Sequence, residues 1–240
     1  MATFTTKLKK REPLAEGTMG FYFAKPADFQ FKPGQYADVT LIDPAETDAE
    51  GNIRSFSIAS APEEEDLLFA TRMRDTSFKR FLRTAQADAE VKVEAPMGSF
   101  TLHNNASKPA VFLAGGIGIT PFSSIVRHAA MARLPHKLYL FYSNRRPEDA
   151  AFMELLSGLE KQNPNYKFIP SMSEMSKSTQ PWNGETGFIN RKMLARHLST
   201  LQGPIYYIAG PPAMVAAMRQ MLTAAGVDED DIRTEEFAGY

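Results

Sequence analysis

"AVFLAGGIGITPFSSIVRHAAMARL", residues 110 to 134, holds two hydrophobic periods in succession. Residues 110–114 form an unbroken apolar run, which suits a strand buried on both faces. From Ile119 the apolar positions follow a helical spacing, and Gly115, Gly116 and Gly118 stand between the two patterns. The same order recurs downstream. KLYLFYSN (137–144) precedes PEDAAFMELLSGLEKQ (147–162), read as one helix with Pro147 in its first turn. YKFIPSMS (166–173) is followed by the short helix NRKMLARHL (190–198), and PIYYIAG (204–210) by PPAMVAAMRQMLTAAG, which ends at Gly226. Apolar strands alternating with helices predict a parallel sheet covered on both faces.

The first hundred residues have a different grain. TFTTKLKKREPL, TMGFYFAKP, QYADVTLID, IRSFSIAS, DLLFATRMR and AEVKVEAPMG are short β-branched or aromatic runs separated by Gly, Pro or acidic turn residues. Strands at this spacing predict an antiparallel barrel or sandwich. One helix interrupts them, SFKRFLRTAQ, with Phe78, Phe81 and Leu82 on one face and Ser77 as its N-cap. The polar, turn-rich HNNASKP (103–109) divides the chain, giving a barrel over residues 1–104 and an α/β unit over 108–240.

Composition removes several function classes. The 27 Lys and Arg balance 28 Asp and Glu, for a net charge of -1, so nothing marks a general nucleic-acid or membrane-surface binder. The absence of cysteine excludes disulfides, a cysteine-held iron–sulfur cluster and a catalytic thiol within these residues. His103, His128, His136 and His197 show no metal-ligand spacing, and no metal is expected; each reads as solvated or half-buried. The start lacks the apolar region of a signal peptide, and no stretch approaches the roughly 20 apolar residues that span a bilayer. The expectation is a soluble, cytoplasmic chain.

Ligands of an open parallel sheet bind at the carboxyl ends of its strands. Three stretches there have pointed chemistry. AGGIGITPF (114–122) offers glycines that admit a ligand close to the backbone, followed by a helix start suited to an anion. It is not the GxGxxG fingerprint, and tight strand–helix packing explains it equally well. SNRRPED (143–149) follows the second strand, where a Ser/Arg set favours a ribose 2′-phosphate, whereas Glu148 and Asp149 suit the helix dipole. AGPPAMV (209–215) is a Gly-Pro turn into a helix. In the first half RSFSIAS (54–60) sets an arginine, an aromatic and serines before a proline, which fits a flavin nucleotide or an edge strand entering a turn.

In order and spacing FKPGQYADVTL, RSFSIAS, RMRDTSFKRFL, APMGSF, AGGIGITPF, YSNRRPED, WNGETGFI, AGPPAM and EEFAGY resemble the ferredoxin–NADP⁺ reductase-like superfamily over nearly the whole chain. The resemblance implies a flavin-binding β-barrel followed by a nicotinamide-nucleotide domain. RSFS resembles Arg-x-Tyr-Ser/Thr. Arg54 then pairs with the flavin pyrophosphate, Phe56 replaces the usual tyrosine against the isoalloxazine, and Ser57, the one nominated catalytic residue, bonds near N5. Arg72, Thr76 and Ser77 resemble the second phosphate contact. Gly116, Gly118, Thr120 and Pro121 resemble the loop under the pyridine nucleotide. Gly210 and Pro211 resemble Cys-Gly-Pro, with Ala209 for cysteine. Phe237 and Tyr240 resemble aromatics covering the flavin, with Glu235 or Glu236 near them.

The implied activity passes a hydride from NADPH or NADH to FAD and then electrons to a separate acceptor. That acceptor is a ferredoxin, flavodoxin or oxygenase component, since no cysteine is present for a fused ferredoxin. Ser143, Arg145 and Arg146 tilt the nucleotide towards NADPH, and the resemblance favours FAD over FMN. Two alternatives stand beside it: a reductase of small acceptors (ferric chelates, quinones, free flavin), and a non-catalytic flavin-binding regulatory module.

Overall fold

Alternating burial along short strands builds the first half. The computed structural model describes residues 1–238; Gly239 and Tyr240 lie outside the described residues. Six strands, β1 (Ala2–Ala15), β2 (Thr18–Ala24), β3 (Tyr36–Leu41), β4 (Ile53–Ser57), β5 (Asp66–Arg72) and β6 (Glu90–Met97), pair antiparallel in the order β4-β3-β6-β1-β2-β5. On β3, Ala37, Val39 and Leu41 turn inward while Tyr36, Asp38 and Thr40 turn out. The chain leaving β4 meets β5, where the Ala59 N–H donates to the Leu68 carbonyl at 2.8 Å, so the sheet curls towards closure as the predicted barrel. Phe21, Phe23, Phe69 and Val93 fill it.

Helix α1 (Ser77–Thr84) covers one end of the barrel with Phe78 and Leu82. Its N-cap is Thr76, whose hydroxyl accepts from the Lys79 N–H, and not Ser77. Ser77 is the first helical residue because its own N–H and hydroxyl are taken by a carboxylate described below.

The second half is the predicted parallel sheet. Its strands β7 (Ala110–Gly115), β8 (Leu138–Asn144), β9 (Tyr166–Met172), β10 (Glu185–Thr186), β11 (Ile205–Gly210) and β12 (Ile232–Glu236) run in the order β10-β9-β8-β7-β11-β12. Every residue of β7 and β11 is buried, as expected when both faces are covered. Phe112, Leu140 and Tyr207 meet α2 (Ile119–Met131) on one face. Val111, Phe141 and Ile208 meet α4 (Arg191–His197) and α5 (Pro212–Ala224) on the other. Burying each such side chain contributes about 1.5–3 kcal/mol.

Two elements depart from expectation. Residues 147–162 are not one helix: a 3₁₀ turn at Pro147–Asp149 is separated from α3 (Met153–Gly158), and a second 3₁₀ turn follows at Leu159–Lys161. The break has a cause. Phe152 takes a left-handed backbone, φ 65°, which carries its ring and Ala150 and Ala151 into the core. The short edge strand β10 lies in WNGETGFI, and just before it the chain's one tryptophan, Trp182, donates from Nε1 to the Glu185 carbonyl at 2.8 Å and packs on the parallel-sheet core.

The two sheets are joined by direct contacts, most of them buried. Phe100 meets Phe122 and Tyr207 at ring distances of 5.6 Å. The Ser124 hydroxyl donates to the Ser60 carbonyl at 2.7 Å, and the Glu16 N–H to the Glu148 carbonyl at 2.8 Å. His103 and His136 are buried here with rings 5.2 Å apart, which corrects the reading of these two as solvated or half-buried, whereas His128 and His197 are half-buried as expected. His103 bonds Tyr207 Oη through Nδ1 at 3.0 Å, and burial lowers its pKa. Among the described residues no cluster of three or more His, Cys, Asp or Glu could hold a metal ion, and no helix is long and apolar enough to cross a membrane.

Candidate active site

The carboxyl ends of the parallel strands open onto a cavity of 760 Å³. Gly115, Gly116, Pro211, the first half of α5, Phe188 and Ile189 line it. Arg72 and Arg74 reach it from the barrel side and Arg145 from the end of β8, with Ser143 and Ser173 beside them. Among the described residues no carboxylate lines it, so three guanidinium groups make it an anion pocket. Arg74 and Arg145 form no ion pair within 4.0 Å among the described residues, and Arg72 has Asp149 at 3.7 Å.

The glycines divide between two jobs. A Cβ on Gly118 would stand 2.4 Å from the Ala209 carbonyl oxygen, so this glycine serves close approach of α2 to β11. Gly116 has φ 52° and open space where a Cβ would be, which presents bare backbone to the cavity. Thr120 and Pro121 do not line it: both are buried, and the Thr120 hydroxyl donates to the Ile117 carbonyl at 3.1 Å. A Cβ on Gly210 would stand 3.1 Å from the Gly115 carbonyl oxygen, and the Gly210 carbonyl accepts from the Phe237 N–H at 2.9 Å.

The two neighbouring arginines do different things. Arg145 faces the cavity. Arg146 is turned away, gripping Asp149 through Nε at 3.0 Å and Nη2 at 3.0 Å and reaching Glu16 of the barrel at 2.9 Å. That pairing holds Asp149 below the usual carboxylate range.

A second opening, a groove of 260 Å³, lies on the outer face of β3 and β4. Tyr36, Ser55 and Ser57 line one side; Glu235, Glu236 and Phe237 line the other. The β3–β4 register pairs Tyr36 with Ser57 and Asp38 with Ser55, which puts all four on this face. The same register pairs Phe56 with Ala37 and Arg54 with Val39, on the inward face. Phe56 is accordingly 5% exposed, its ring 5.8 Å from Phe78 and 6.1 Å from Phe69, and only its edge borders the groove. Phe237 belongs to both openings and is the wall between them.

Glu235 is the residue the sequence named only loosely. Its Oε2 is buried with no hydrogen-bond partner, and burial pushes its pKa up to about 7. A carboxyl near neutrality at the rim of a cleft is chemically useful, because it can hold or give a proton at working pH.

Arg54 and Ser77 come together at the start of α1. Asp48, from the loop between β3 and β4, accepts from the Ser77 N–H at 2.9 Å and hydroxyl at 2.8 Å through Oδ2, and from Arg54 Nη2 at 3.3 Å through Oδ1. These donors therefore form a working anion site, with a carboxylate as the stand-in. The donor set suits a phosphate, and Ser57 with its groove continues the same strand as Arg54. Arg72 is not part of this cluster; it lies in the cavity.

Comparison with known proteins fits this geometry. Residues 112–220 match the oxidoreductase NAD-binding domain family. The reductase component of propane 2-monooxygenase from Mycolicibacterium smegmatis is 30% identical over 218 residues, 89% of this chain and 61% of that protein. The electron transfer component of anthranilate 1,2-dioxygenase from Acinetobacter baylyi is 30% identical over 210 residues, 86% of this chain and 58% of that protein. The chain thus spans about three-fifths of the length of these relatives. Among solved structures, a ferredoxin NADP⁺ reductase from Neisseria gonorrhoeae with bound FAD and NADP superposes with a TM-score of 0.80 at 20% identity, covering 98% of both chains. With an antiparallel barrel followed by a parallel sheet and a nucleotide-binding match over residues 112–220, the chain shares the fold of that ferredoxin NADP⁺ reductase.

Proposed function

We propose that this chain is a flavin-dependent NAD(P)H oxidoreductase, with residues 1–104 holding FAD and residues 108–240 holding the nicotinamide nucleotide. The observation that carries this is the shared wall at Phe237: an arginine-lined cavity and a serine-lined groove meet at one aromatic ring. Bound FAD would supply the hydride acceptor and the means to release two electrons singly. The chain's residues bind and orient. Gly116 and Pro211 support the dinucleotide, Arg72, Arg74 and Arg145 neutralise its phosphates, and Ser57 offers a hydroxyl to the flavin ring's polar edge. Glu235 holds a proton beside the same groove. Phe56 supports β4 from inside the barrel and borders the groove that would hold the ring.

NADPH is preferred over NADH in this reading. Ser143 and Arg145, which has no ion pair among the described residues, favour a 2′-phosphate, while Arg146 takes no part because Asp149 and Glu16 occupy it. Electrons leave to a separate acceptor, and an oxygenase component is the favoured class, as in the propane 2-monooxygenase relative. A cytoplasmic setting, where NAD(P)H is made and consumed, follows from that role.

The test is an anaerobic titration of the FAD-loaded chain with NADPH and then NADH, followed by visible absorbance. Bleaching of the flavin bands by either nucleotide, at lower NADPH than NADH, is the expected result. A yellow protein that neither nucleotide bleaches would point to a regulatory flavin module instead.

A further inference from the structure

The loop between β3 and β4, residues 42–52, carries Asp43, Glu46, Asp48 and Glu50, four acids in eleven residues. Three of them clamp onto cations of the barrel end. Glu46 pairs with Arg80 at 2.9 Å, Glu50 with Arg54 at 2.8 Å, and Asp48 takes Arg54 and both donors of Ser77. The rest of the Arg54 guanidinium points at the end of the same loop and the start of β4: Nη1 donates to the carbonyls of Glu50, Gly51 and Ile53 at 2.9, 3.0 and 2.7 Å. Its plane also lies over the Phe78 ring, 5.3 Å from the centroid. Both terminal nitrogens of Arg54 are thus engaged while the loop stays in place. Beside this cluster, burial first and then Arg74 and Arg54 push the Lys79 ammonium down to about 8.

We propose that the acidic loop is an internal competitor of the flavin, with the Asp48 carboxylate occupying the place of the pyrophosphate, so that FAD enters only as the loop leaves and is held as an exchangeable ligand. This rests on the flavin reading above. The physical basis is direct. A carboxylate and a phosphate both satisfy a helix N-terminus and a guanidinium, and the two anions repel when both are present. Closing the loop therefore weakens the phosphate end of the flavin and leaves its ring end untouched.

The experiment is a pair of binding isotherms on the full chain, with FAD and with riboflavin, which lacks phosphate. Wild type, Asp48→Asn and Asp48→Ser are compared, and a thermal melt confirms that each variant folds. Both substitutions remove the charge and keep an acceptor for Ser77, so the helix remains capped. The expected result is FAD bound about tenfold more tightly by both variants and released more slowly, with riboflavin affinity unchanged; tenfold is the usual scale for one charge-assisted contact. FAD affinity that stays the same or falls overturns the competition, as does an equal gain for riboflavin. If neither ligand binds wild type or variants, the flavin reading itself fails, and the competition with it.

Discussion

Arg54 and Arg145 carry the same charged group and lead opposite lives. Arg54 has two carbonyls and two carboxylates of its neighbouring loop around it, with the Ile53 carbonyl of β4. Arg145 stands at an open cavity with no ion pair among the described residues. The barrel end is self-satisfied and the cavity is not. The difference teaches that in this fold an anion site is recognised by which donors remain unmatched, not by which residue types are present. The two acids repeat the contrast. Asp48 is held below its ordinary pKa, first by the Ser77 hydroxyl, whereas Glu235 has no partner at its buried oxygen and is raised to about 7.

Glu235 gives the largest expected break in that pattern. A carboxyl whose folded pKa lies above its unfolded value favours the protonated folded state. Stability is then full below about pH 4.5 and falls as pH rises to about 7. The ligand-free chain should lose about 2–3 kcal/mol across that window in urea melts, using about 1.4 kcal/mol per pKa unit. Glu235→Gln should flatten this part of the profile. An equal slope in the variant would show that another group titrates there.

Phe56→Tyr sharpens the distinction between the inner and outer faces of β4. The resemblance would make tyrosine welcome, since it is the usual residue at that place. The structure buries the ring beside Phe69 and Phe78, an apolar setting that disfavours an added hydroxyl. The expected cost is about 1–2 kcal/mol of unfolding free energy. A variant as stable as wild type, with tighter flavin, would put the ring on the outer face.

The smallest effect separates two neighbours. Arg145→Ala should weaken NADPH about tenfold and NADH less than about twofold, the scale of one charge-assisted phosphate contact. Arg146→Ala should leave that ratio unchanged and lower the melting temperature instead, because Glu16 loses its partner and Asp149 keeps only the longer contact to Arg72. Equal loss of selectivity in both variants would remove the distinction between them.

Much of this architecture was legible because it is local. Short β-branched or aromatic runs between turn residues marked the six barrel strands, and continuous apolar runs such as AVFLA and IYYIA marked the parallel ones. What was illegible depends on partners far along the chain. Arg146 is diverted by Glu16, 130 residues away. The face of Phe56 is set by its register with Ala37. The N-cap moved from Ser77 to Thr76 because Asp48, 29 residues earlier, claims the Ser77 donors. The long helix at 147–162 failed for the same kind of reason, since Phe152 answers to the core and not to helix propensity. Glu235 could have been found from sequence only as an acid on a final strand; its burial comes from β11 and the facing barrel wall.

The position of Trp182 has a spectroscopic consequence. The chain's one indole sits at the edge of the parallel sheet, hydrogen-bonded to Glu185, while the barrel holds phenylalanine and tyrosine. Intrinsic fluorescence therefore watches one half of the molecule, and circular dichroism watches both. Melts followed by the two signals will superimpose if the Phe100–Tyr207 and Ser124–Ser60 contacts make unfolding a single event, and they will separate if the halves let go in turn.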